Sequence, residues 1–131
     1  IDKTNKIGKQ YSQIEFDKHG MNVTVDQWVL LKIIHERSPI SQVELAKFSM
    51  RDPASITRTL DILFKKNMIS REQTPGRRRQ FDVSLTKTGN SFVRANMAYV
   101  QKQRDKSVQG LSESDQAKLM NMLIQIQENM M

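Results

Sequence analysis

The 131-residue sequence contains no cysteine, which excludes disulfides, thiolate metal sites and thiol redox switches. It has only two histidines, His19 and His35, so any zinc site would have to be completed by carboxylates, and no metal is expected. No uninterrupted apolar run approaches the roughly 20 residues of a membrane span, and no signal-peptide pattern opens the chain. A cytoplasmic protein without membrane contact is the corresponding expectation. No nucleophile-base motif, phosphate-binding glycine loop, metal-ligand cluster or spaced carboxylate pair can be picked out, so an enzyme is not expected and no cofactor is assigned.

What the chain has in excess is positive charge. Lys and Arg total 21 against 14 Asp and Glu, a formal net charge of +7. Most of the excess is concentrated between Ser41 and Gln80, where nine basic residues face four acidic ones. Such a segment favours a polyanionic partner. The length suits one compact unit, 1–131, with no internal repeat or low-complexity linker.

Local signals predict mostly helix. Ile7, Tyr11 and Ile14 recur at helical spacing from Asp2 to Lys18, and His19-Gly20 supplies the stop. Thr24 and Gln27 form a capping box for a second helix over about 25–36, apolar on most of its sides. Ser38-Pro39 ends it, and Ser41 with Glu44 predicts a second capping box opening a short helix. Asp52 as N-cap and Pro53 at the first helical position start a fourth helix that runs to about Lys66, with Asn67 as its left-handed stop.

Segments 68–73 and 81–85 read as a β-hairpin around Thr74-Pro75-Gly76. Thr86 caps a long helix over about 87–109. Gly110 interrupts it, and Ser112 with Asp115 starts a final helix. The fold class is therefore mainly α with a small β-hairpin wing, a winged helix-turn-helix lobe over 25–86 and helical regions at 1–19 and 87–131.

In the fourth helix, Ile56, Leu60 and Leu63 share one face and must pack inward. Ala54, Arg58, Asp61 and Lys65 then face outward, flanked by Ser55 and Thr57. Small residues beside an arginine suit a helix that enters a major groove about 12 Å wide, and Arg58 is the candidate for a bidentate contact to guanine. Ser41 and Gln42 could donate to phosphate, although an ordinary helix cap explains them equally well. Arg51, in the turn before the fourth helix, joins this set. Lys65, Lys66 and Arg71 read as solvated or phosphate-facing charges.

Arg77, Arg78 and Arg79 at a hairpin tip repel one another by about 1 kcal/mol per exposed pair. The narrow, negative minor groove would reward that arrangement. Double-stranded DNA is thus the expected partner. A winged module for protein contact without specific DNA readout is the alternative, disfavoured because protein interface cores are depleted of such charge.

These blocks resemble the multiple antibiotic resistance regulator (MarR) family of bacterial repressors and activators. The resemblance lies in Ser41-Gln42-Val43-Glu44-Leu45-Ala46, in Asp52-Pro53-Ala54-Ser55-Ile56-Thr57-Arg58-Thr59-Leu60, in Ile69-Ser70-Arg71, in Arg78-Arg79 and in Leu85-Thr86-Lys87-Thr88-Gly89. It implies a triangular homodimer, interlocked through 1–19 and 87–131, that regulates transcription from pseudopalindromic operators. Apolar faces after Gly110 and from Phe92 to Val100 support a dimer independently.

The resemblance also implies a small lipophilic or aromatic effector, for which Tyr11, His19, Trp28 and Met97 are the candidate pocket residues. Read by themselves, Trp28 is a core residue and His19 a solvated cap. Two positions depart from the family pattern: Arg77 stands where an acid usually orients the wing arginine, and Asn67 replaces the usual Gly.

Overall fold

The computed structural model describes residues 1–77 and 79–131. The elements run α1 (Asp2–Lys18), α2 (Val25–Arg37), β1 (Ile40–Ser41), α3 (Gln42–Ser49), α4 (Pro53–Lys65), β2 (Ile69–Gln73), β3 (Phe81–Leu85), α5 (Lys87–Ser107) and α6 (Glu113–Met130). They form two compact units, Ile1–Ala98 and Tyr99–Met131, and α5 contributes to both.

In the first unit, α1 is built onto α2. Gln13 Nε2 donates to the Val23 carbonyl at 3.3 Å, and its Oε1 accepts from the Val25 amide at 3.0 Å. Helix α2 begins with the complete capping box expected from sequence: Thr24 accepts from the Gln27 amide, and Gln27 returns to the Thr24 amide, both at 3.1 Å. Trp28, Leu30, Leu31 and Ile34 are buried along it. The Trp28 ring meets Phe16 of α1 and Phe92 of α5 edge to face, with centroids 6.2 and 6.1 Å apart.

The expected hairpin is part of a three-stranded antiparallel sheet of order β1-β3-β2. Ile40 pairs with Val83 and Ser41 with Asp82, which adds the two-residue β1 to the edge of β3. On the other edge, Ile69 pairs with Leu85 and Gln73 with Phe81. Ser41 accepts from the Glu44 amide at 3.1 Å, the forward half of the predicted capping box. Being also the last residue of β1, Ser41 takes its place in the sheet as well as at the helix start.

Asn67 takes the left-handed conformation expected of it, at φ 59°. Close by, Thr86 Oγ1 accepts from the Gly89 amide at 3.0 Å and donates to the Asn67 carbonyl at 2.7 Å, while the Thr86 amide donates to the Met68 carbonyl at 3.0 Å. Gly89 lies so close to Met68 that an added Cβ would stand 2.0 Å from its carbonyl oxygen. The Leu-Thr-x-x-Gly block thus has a steric cause: it fastens the end of β3 and the start of α5 to the first residue after the α4 stop.

In the second unit, Gly110 turns the chain at φ 91°, and Ser112 caps α6 by accepting from the Asp115 amide at 3.0 Å. No residue of α6 is buried within this chain.

Candidate nucleic-acid interface

The α3–turn–α4 pair is set up by its caps. Met50 ends α3 in the left-handed conformation at φ 56°. Asp52 then caps α4 by accepting from the Ser55 amide at 2.9 Å, with Pro53 at the start of the helix. Ile56, Leu60 and Leu63 are all essentially inaccessible, which commits one face of α4 to the core. The opposite face is consequently presented to solvent: Ala54, Thr57, Arg58, Asp61 and Lys65 are exposed and Ser55 is half-buried.

Arg58 is pre-oriented on this face. Its Nη2 donates to Ser55 Oγ at 3.1 Å, and the Ser55 hydroxyl donates in turn to Asp52 Oδ1 at 2.7 Å. The Ser55 hydroxyl, and then its amide, holds the Asp52 carboxyl below its ordinary range. Thr57 donates to the Pro53 carbonyl at 3.0 Å. Ser41 and Gln42 are half-buried at the start of α3.

Three of the basic residues are more constrained than the sequence suggested. Arg51 donates from Nη2 to Asp26 Oδ1 at 2.8 Å and from Nη1 to the Ser49 carbonyl at 3.2 Å, so it ties the turn to α2. Arg71 is not a solvated charge: its Nη1 pairs with Asp61 Oδ1 at 2.8 Å, and its guanidinium lies 5.8 Å from the Phe64 ring centroid. Lys66 donates to the Asn22 carbonyl. Long-range pairing accounts for all three, and no local pattern announces it. Lys65 remains an exposed cation.

The wing is closed by its backbone, with the Thr74 amide donating to the Gln80 carbonyl at 2.8 Å and the Arg77 amide to the Thr74 carbonyl at 3.0 Å. Gly76, at φ 77°, supplies the turn. Arg77 and Arg79 are exposed, and Arg77 Nη1 reaches Gln80 Oε1 at 3.3 Å. Arg78 lies outside the described residues.

Two cavities flank α4. One, of about 570 Å³, lies between α3, α4 and the wing, with Val43, Ala46, Ile56 and Phe81 against Gln42, Thr57 and Arg79. The other, of about 410 Å³, is lined by Lys9, Asp26, Arg51, Ser55, Arg58 and Thr59. Neither was foreseen from sequence, since each joins residues of separate elements.

The expected effector residues lie on α1, just past its end, on α2 and on α5. Trp28 is only 2% exposed and belongs to the core, so its ring offers no surface to a ligand. Tyr11 is half-buried on α1, His19 is exposed just past its end and Met97 is exposed on α5. None of the four lines a cavity described above or the smaller one beside Lys6 and Gln10. Among the described residues no cluster of acids and histidines is placed to hold a metal ion, and no helix is long and apolar enough to cross a membrane.

The MarR family model matches residues 23–81, the span from the entry of α2 to the start of β3. Solved structures share the fold. A mutant MarR from E. coli, complexed with operator DNA, is 24% identical with a TM-score of 0.88, over 96% of this chain and 89% of that one. MepR from S. aureus, in a DNA complex, is 19% identical with a TM-score of 0.88, over 98% and 93%. The transcriptional regulator SlyA is 22% identical with a TM-score of 0.84, over 99% and 94%. Family match and fold agree: residues 23–81 match the MarR family model, within a chain that folds like these proteins over nearly all its length.

Proposed function

We propose that this chain is a transcriptional regulator rather than an enzyme, binding pseudopalindromic operators in double-stranded DNA as a homodimer. The observation that carries the reading is the division of α4 into two faces. Ile56, Leu60 and Leu63 are fixed in the core, which leaves Ala54, Thr57 and Arg58 exposed and Ser55 half-buried on the rest of the helix. That face can enter a major groove, where the Arg58 guanidinium reads guanine through its two acceptors. The exposed Arg77 and Arg79 extend the contact to the adjacent minor groove.

The DNA complexes of MarR and MepR support this reading, since their chains share the fold. Dimerisation draws support from α6, where Leu119, Met120, Met122, Ile124 and Ile126 are all exposed on one 18-residue helix. A surface of that kind is usually covered by a partner, and a second copy is the symmetric solution.

Binding to random duplex DNA, titrated with salt, tests the electrostatic basis. Affinity is expected to fall by about a hundredfold or more between 50 and 200 mM salt, as phosphate contacts release counterions. A flat response would remove the nucleic-acid reading.

A further inference from the structure

The polar cavity on the side of α4 formed with α1 and α2 has a lining that the winged motif alone does not require. Lys9 comes from α1, Asp26 from α2, Arg51 from the turn before α4, and Ser55, Arg58 and Thr59 from α4 itself. Asp26 organises the cations: Lys9 Nζ stands 3.1 Å from Oδ2 and Arg51 Nη2 2.8 Å from Oδ1. One carboxylate thus fixes two cations, and Arg58 brings the lining to a net charge of +2. Lys9 is well exposed, and an ammonium carries three donors, of which Asp26 engages one. The hydroxyls of Ser55 and Thr59 add polar groups at the same wall.

A helix in the major groove lies between two phosphate backbones. The first cavity, with Gln42 and Arg79, occupies the wing side of α4; the Lys9 cavity lies on another side, and Lys9 is shared with a further pocket along α1 lined by Lys6, Gln10 and Gln13. We propose that Lys9 and Arg51 make this cavity a seat for a backbone phosphate of operator DNA, beside the base-reading Arg58, which makes Lys9 of α1 a DNA-contacting residue. The inference rests on the DNA-binding reading above and extends it to a helix outside the winged lobe. Phosphate contacts fix register without reading sequence, so Lys9 sets affinity and placement while Arg58 reads bases.

The test uses the full chain with duplex DNA carrying the selected operator, and compares Lys9→Gln, Lys9→Arg and Lys3→Gln. Lys3 is an exposed α1 lysine outside the cavity, so its loss removes the same charge elsewhere. One phosphate contact corresponds to about 0.9 in the logarithmic salt slope, or roughly eightfold in affinity at 0.1 M relative to 1 M salt. Lys9→Gln is expected to lose that factor on all sequences alike, with the slope shallower by about one. Lys9→Arg should retain binding, and Lys3→Gln should behave as the parent.

Neutral methylphosphonate substitutions, made one at a time, should reveal a position in each half-site that weakens the parent but not Lys9→Gln. Three results overturn the seat: Lys9→Gln binding as the parent does, Lys3→Gln losing as much as Lys9→Gln, or no phosphate position losing its sensitivity in Lys9→Gln. If the parent itself binds no duplex DNA, the failure lies in the underlying functional reading.

Discussion

Replacing Gly89 by Ala sets two physical effects against each other. Gly89 lies in the first turn of α5, and helix propensity alone favours Ala over Gly by about 1 kcal/mol. The new Cβ, however, would stand 2.0 Å from the Met68 carbonyl oxygen, where an ordinary contact begins at 3.4 Å. The obstacle is backbone, and it cannot swing aside as a side chain would. Relief must come from separating α5 from the α4–β2 junction, which stretches the 3.0 Å bond from the Thr86 amide to that same oxygen.

Overpacking of this kind costs about 1–3 kcal/mol, and a weakened hydrogen bond adds about 1 kcal/mol. With the propensity gain subtracted, Gly89→Ala should destabilise the protein by about 1–3 kcal/mol. Urea denaturation reads this as a lower midpoint at unchanged slope. Gly8→Ala is the control, because Gly8 sits in α1 with nothing within 4 Å of an added Cβ. It should be neutral or stabilising by up to about 1 kcal/mol. If Gly89→Ala matched Gly8→Ala, the steric account of the Leu-Thr-x-x-Gly block would be wrong.

Two further outcomes follow from the site. Arg58→Ala should relax the preference at one base pair per half-site, at a cost of about 1–3 kcal/mol on the preferred sequence; competition between operator variants measures it, and a uniform loss on all sequences would make Arg58 a phosphate contact. The Arg51 side chain, hydrogen-bonded to Asp26 and opposed in part by desolvation, holds the Asp26 carboxyl below its ordinary value of 3.8, with Lys9 contributing. The stabilisation is therefore present above the unfolded value and disappears as pH falls through the lower folded one. Asp26→Asn should be less stable than the parent by up to about 1 kcal/mol at pH 7, given the pair's exposure, and the difference should close below pH of about 4. A gap that stays constant with pH in denaturation curves would show that the carboxylate charge is not its source.

The parts legible in the sequence are those governed by short-range chemistry. Thr24, Asp52, Thr86 and Ser112 each bond an amide within three residues of themselves, so their types and spacing announce the helix starts. The inward face of α4 follows equally from the spacing of Ile56, Leu60 and Leu63. By contrast, β1 is two residues long and exists only because β3, more than 40 positions later, offers it an edge.

The charge partners are hidden for the same reason. Asp26 meets Arg51 across 25 positions and Lys9 across 17, and Arg71 meets Asp61 between a helix and a strand. A sequence shows that such charges exist and not which ones neutralise each other. Trp28 illustrates a different ambiguity: an aromatic residue on a mostly apolar helix fits both a pocket and a core, and its packing against Phe16 and Phe92 decides for the core.

We propose that two copies of this chain read DNA sequence through α4 and its wing. Selection of bound duplexes from a random pool tests it most directly. A pseudopalindrome whose half-sites are centred about 10–10.5 base pairs apart should be enriched, with a guanine in each half-site whose preference disappears in Arg58→Ala. Recovery of sequences with no common motif, or of a single unrepeated half-site, would contradict it.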